Sequence, residues 1–161
     1  DFELSKKQFE LRYAIPNKSK KICEEHYMFD DNFKRLEINP DADIPEKMSF
    51  EDFIVYSLEK LVIETNFKIL IIDNITYLKD ETEKSKNAVK LMKDLNDMKK
   101  AHKISILALA HTPKRNPSNP ITSNDLQGSR MLFNFIDSCF TIGESFKDKS
   151  LRYLKQIKAR N

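Results

Sequence analysis

The sequence predicts an α/β fold with a mainly parallel sheet and a C-terminal β-hairpin, and three observations carry that prediction. Two short runs, Ile69 to Ile72 and Ile104 to Ala110, are continuous and apolar, as expected of strands buried on both faces of a parallel sheet. Around them, apolar residues recur at a helical period, so strands and helices alternate along the chain. Near the end, Ser138 to Gly143 and Leu151 to Lys158 read as two strands joined by a charged turn.

With 161 residues, one domain with a single core, covering 1–161, is expected. A hydrophobic content of 40% against 33% charged residues marks a globular chain rather than a disordered one. The net charge of +3 is a small remainder of many opposed charges, so any nucleic-acid surface must be argued locally. Cys23 and Cys139 belong to no CxxC pair, which argues against a zinc or disulfide framework and for a reducing cytoplasm. No apolar run reaches membrane length and no signal-peptide pattern opens the chain, so no membrane partner is expected.

Taken in order, Asp1 to Glu3 reads as the end of a strand, as if the chain began within a domain that is incomplete at its N-terminus. Ser5 and Gln8 form a capping box for a helix that carries Phe9, Leu11 and Arg12 and stops before Pro16. Asn17 to Lys21 is a polar, basic loop. The segment to Asp31 reads as helical, with Ile22, His26 and Phe29 along one side. Leu36 and Ile38 suggest a short strand ended by the turn Asn39-Pro40-Asp41.

Ser49 starts the clearest helix, in which Phe50, Phe53, Ile54, Ser57, Leu58, Leu61 and Val62 make one face. A second helix is expected from about Glu83 to Lys100, burying Ala88, Leu91, Met92, Leu95 and Met98 beneath a lysine-rich solvated side. Thr112 to Asn124, with Pro113, Pro117 and Pro120, reads as a long mobile loop, a length usually kept for function. Arg130 to Phe135 is expected to form a short helix.

Candidate chemistry gathers at strand ends, where ligands of open parallel sheets bind. Glu3, Asp73 and His111 each close a strand. One carboxylate there can hold Mg²⁺ through its waters, and a second can activate an attacking water. A histidine can hydrogen-bond a phosphate oxygen. The plain alternatives are a helix-capping role for Asp73 and a structural imidazole at His111.

These segments resemble the RecA-like P-loop ATPase core, in the version found in the DnaB and RepA replicative helicases and the RadA-type repair proteins. DFELSKKQFELR resembles the family's segment after its second strand, which would make Glu3 the catalytic base. ILIIDNITYL resembles the Walker B strand, with Asp73 as the Mg²⁺-linked acid and Asn74 beside it in the nucleotide site. ILALAHTPKR resembles the sensor strand, with His111 where the family usually has Gln. DLQGSRMLFNFIDSCFTI resembles the stretch after the DNA-facing loop, matching at Asp125, Gly128 and Ser129. The terminal KARN resembles the helicases' Lys-x-Arg-Asn element, by which Lys158 and Arg160 would reach a neighbouring subunit's ATP site.

The resemblance implies a three-layer RecA-like fold and a DNA-dependent ATP hydrolase of replication, recombination or repair, with ATP and Mg²⁺ as cofactors. It implies assembly into a hexameric ring or filament and a single-stranded DNA partner. Lys114, Arg115, Asn116, Gln127 and Arg130 are the candidate contacts to a phosphate backbone. Compact relatives of this kind are often found on mobile elements. The sequence departs from the family in one large respect: no GxxxxGK[ST] occurs, and Gly128 and Gly143 are its only glycines. A truncated chain that lacks the phosphate-binding loop is the simplest account, and this chain alone would then be inactive. A non-catalytic interaction domain that keeps the α/β core is the rival of a different class, and a KaiC-type signalling ATPase is the rival within the fold.

Overall fold

The computed structural model describes residues 5–12, 15–16, 23–25, 29–37, 39, 42–75, 86–112, 114–116, 118–125 and 130–160. The expected strand end at Asp1 to Glu3, the loop Asn17 to Lys21, Ile22, His26, Ile38, Pro40, Asp41, Gln127, Gly128 and Ser129 lie outside the described residues. The chain divides into two compact units, Asp1–Asp43 and Ile44–Asn161.

In the first unit the capping box forms as its spacing predicts. The Ser5 amide donates to Gln8 Oε1 at 2.9 Å and the Gln8 amide donates to Ser5 Oγ at 3.3 Å, opening helix α1, Lys6–Arg12. Strands β1, Ile15–Pro16, and β2, Cys23–Glu25, pair antiparallel. This corrects the helical reading at Cys23–Glu25, because pairing with β1 overrides a weak local preference. Leu36 lies in irregular chain rather than in the expected strand, with no partner strand among the described residues. Phe29 stacks between Phe9 and Phe33, with centroids 5.4 and 4.6 Å away, and the Arg35 guanidinium lies over the Phe9 ring at 4.6 Å. Beside them is an open cleft of about 460 Å³.

The second unit is a mixed α/β structure. Helix α2, Phe50–Thr65, begins where Ser49 Oγ accepts from the Asp52 amide at 3.1 Å. It ends at Asn66, whose left-handed backbone (φ 53°) returns its amide to the Val62 carbonyl. Strand β3, Ile69–Ile72, then leads through the region of Asp73 to helix α3, Lys86–His102, and strand β4, Ser105–Ala108. β3 and β4 pair in parallel, from Ile69 opposite Ser105 to Ile72 opposite Ala108, which makes a βαβ unit. Helix α4, Arg130–Phe135, and the antiparallel hairpin of β5, Ser138–Glu144, and β6, Arg152–Ala159, complete the unit.

α3 packs against α2, α4 and β4. Its buried residues Leu91, Met92, Leu95 and Met98 meet a core that includes Ile54, Val62, Leu70, Ile72, Ile104 and Leu132. Strand side chains alternate between faces, so Leu70 and Ile72 are buried while Ile69 and Ile71 are 67% and 54% exposed. Burial of this strand on both faces was the expectation, and the structure corrects it. Only one face of the parallel pair is covered, and Leu107 and Leu109 are exposed as well. Among the described residues the strands form three two-stranded sheets, one parallel and two antiparallel.

Candidate functional site at the carboxyl rim of the parallel pair

The parallel register decides where the rim lies. Beyond the last strand residues the ladder runs on, with the Leu109 amide donating to the Ile72 carbonyl at 2.9 Å and the Ile75 amide donating to the Leu109 carbonyl at 2.8 Å. Asp73 and Asn74 therefore leave β3 at the same edge at which His111 leaves β4. Asp73 is half-buried, and His111 is exposed. Asn74 is only 1% exposed, and its amide Nδ2 donates to His111 Nε2 at 2.9 Å. A buried amide is almost always hydrogen-bonded, and here one partner is the exposed imidazole that follows the neighbouring strand. Glu3, the third member of the expected rim, lies outside the described residues.

The loop that follows His111 is tied down where the sequence predicts mobility. Arg115 Nε donates to Asp125 Oδ1 at 3.1 Å, and its NH2 group donates to the carbonyls of Asn119 and Pro120 at 2.6 and 3.0 Å. The Ile121 amide donates to the Tyr153 hydroxyl at 3.0 Å, and Lys155 Nζ donates to the Ile121 carbonyl at 3.2 Å. Asp125 accepts from the Thr122 amide at 2.7 Å and from its hydroxyl at 2.9 Å. Those two donors, with Arg115, hold the Asp125 carboxyl below its usual range. Among the described residues of this loop, the side chains of Asn116, Thr122 and Asp125 close turns on nearby backbone amides.

The candidate nucleic-acid contacts therefore differ in what they have to offer. Lys114 is exposed, whereas Arg115 is half-buried and engaged within the loop. Asn116 Oδ1 accepts from the Ser118 amide and hydroxyl at 3.0 and 2.7 Å, which closes a turn. Arg130 opens α4, and Gln127 lies outside the described residues. At the other end of the hairpin, Lys158 Nζ donates to the Phe133 carbonyl at 2.5 Å and sits 5.0 Å from the Phe133 ring centroid. Arg160, whose side chain is 61% exposed, donates to Asp137 Oδ1 at 3.0 Å. Asp137 also accepts from Lys99 Nζ at 2.6 Å. Sequence reasoning missed Asp137 and Tyr153, which share no local pattern with the residues they hold.

Among known proteins, no family model and no curated protein matches this sequence. The reading of the rim thus rests on its own chemistry. Mg²⁺ keeps most of its waters and takes one or two carboxylates, so the single acid Asp73 fits such an ion. Among the described residues no group of three or more His, Cys, Asp or Glu side chains gathers to hold a metal by protein ligands alone. A triphosphate also needs a cradle of exposed backbone amides. Gly128 lies outside the described residues, and the Tyr153 ring packs onto Gly143, where an added Cβ would meet it at 2.2 Å. The described residues therefore fit the acid and sensor side of a phosphate site, not its cradle.

Proposed function

We propose that this chain contributes the acid and sensor strands of a RecA-like, DNA-dependent ATPase of the DnaB, RepA or RadA kind. The observation that carries the reading is that Asp73 and His111 follow adjacent parallel strands to one rim, joined there by the Asn74 amide at 2.9 Å from His111. In this reading the parallel pair belongs to a three-layer core, and the glycine-rich cradle comes from outside these 161 residues. Asp73 holds a hydrated Mg²⁺. The ion's contribution is to neutralise charge on the phosphates. His111 hydrogen-bonds a terminal phosphate oxygen and, through the adjoining loop, passes its presence or absence to Lys114. The resemblance assigns the activation of water to Glu3.

Lys158 and Arg160 act on the neighbouring protomer's nucleotide, which makes a ring or filament a requirement for turnover. To do so they must leave the Phe133 carbonyl and Asp137, and the more exposed Arg160 is the readier of the two. The test is ATP hydrolysis by the full-length gene product. Asp73→Ala and Arg160→Ala are each expected to abolish it, and a finger arginine is worth about 10³–10⁵ in rate. Nucleotide binding should largely survive in Arg160→Ala. Unchanged turnover in both variants would overturn the reading. For the DNA partner, a steep salt dependence of single-strand binding that weakens in Lys114→Ala is the expected outcome.

A further inference from the structure

We infer that Asp137 is a latch on Arg160: its carboxylate holds the guanidinium in reserve, and Lys99 keeps the acid paired when Arg160 leaves for a phosphate. The two carboxylate oxygens are divided between two elements. Lys99 Nζ, in the last turn of α3, donates to Oδ2 at 2.6 Å. Arg160 NH1, just past β6, donates to Oδ1 at 3.0 Å. The Arg160 amide also donates to the Asp137 carbonyl at 2.9 Å. The end of β6 is thus held by its backbone, and the Arg160 side chain can swing away without moving the strand.

The two cations are not held alike. The Lys99 side chain is 31% exposed and rises from a helix whose adjacent residue, Met98, is buried, whereas the Arg160 side chain is 61% exposed. Lys99 is also the larger cause of the lowered Asp137 carboxyl. An ion pair in water is weakly held. A phosphate takes a guanidinium through two parallel N–H bonds, while the bond to Asp137 uses one NH2 group. Breaking an ion pair ordinarily leaves its acid uncompensated, and here Lys99 remains to neutralise Asp137. The exchange of Arg160 from carboxylate to phosphate therefore strands no charge. That the phosphate belongs to a neighbouring protomer's nucleotide rests on the reading above; the sharing of Asp137 does not.

Two measurements on the full-length protein test this. The first is ATP hydrolysis by Lys99→Gln, Asp137→Asn and the double variant. Without Lys99 the carboxylate belongs to Arg160 alone, so Lys99→Gln should lower turnover about two- to fivefold, the strength of an exposed ion pair. Asp137→Asn should raise turnover by a similar factor. The double variant should match Asp137→Asn, because Lys99 acts only through the acid. A double variant no better than Lys99→Gln, or a folded Asp137→Asn no faster than wild type, overturns the inference. The second measurement is the ¹³C carboxyl titration of Asp137, identified by the signal lost in Asp137→Asn. Lys99→Gln should raise its midpoint toward the ordinary value of about 4 by more than Arg160→Gln does. The reverse order, or no change in Lys99→Gln, also overturns the inference. Should Lys99→Gln fail to fold, Arg160→Gln decides: its Asp137 midpoint should stay below the ordinary value, and a full return to about 4 overturns the inference. The titration does not depend on turnover, so the expected order in a protein that hydrolyses no ATP sinks the ATPase reading alone.

Discussion

Asp137 shows how far a single side chain can be read. Lys99 first, and Arg160 with it, hold its carboxyl below the usual range. An acid whose folded value is lowered adds stability that is complete above its ordinary value of about 4 and is lost as pH falls through the lowered value. The group is about half exposed, so solvent screening keeps the effect small. Asp137→Asn should lower stability at neutral pH and flatten its decline between about pH 5 and pH 2, as followed by circular dichroism. An acid limb identical to wild type would contradict this. At the same scale, the caps at Ser5 and Ser49 were legible because donor and acceptor lie within one helical turn. The bond from Asn74 to His111 spans 37 positions, and no local pattern announces a partner that far away.

Elements were the most legible level, for a physical reason. α2, α3, α4 and the hairpin each carry their own periodicity and punctuation, and they form close to where the sequence predicts them. The tract around Cys23–Glu25 carries no such signal, and its strand depends on a partner. Gly143 is the element-scale case in which packing, not backbone freedom, demands glycine. It sits opposite Tyr153, whose ring occupies the place of a Cβ and whose hydroxyl accepts from the Ile121 amide. Gly143→Ala is therefore expected to push the ring away, cost about 1–3 kcal/mol and release the loop. Thermal unfolding and hydrogen exchange at the Ile121 amide would show both effects. A variant as stable as wild type, with Ile121 still protected, would refute the account.

For the molecule as a whole, the outer face of the parallel pair and the missing cradle matter most. Ile69, Ile71, Leu107 and Leu109 lie exposed on this pair, whereas Leu70 and Ile72 are covered. With only two glycines and no glycine-rich loop, the 161-residue chain by itself should bind ATP more weakly than about 1 mM. Calorimetric titration checks this, and micromolar binding would contradict it. The residues alone determined the α/β class, the order of most elements and the rim candidates Asp73 and His111, because apolar period and strand-end polarity are local properties of the chain. Only the tertiary structure decided which face of β3 is buried, that Arg115 is spent on its own loop and that Asn74 turns inward to His111. Those outcomes depend on pairings between distant segments, and a one-dimensional pattern does not specify such pairings.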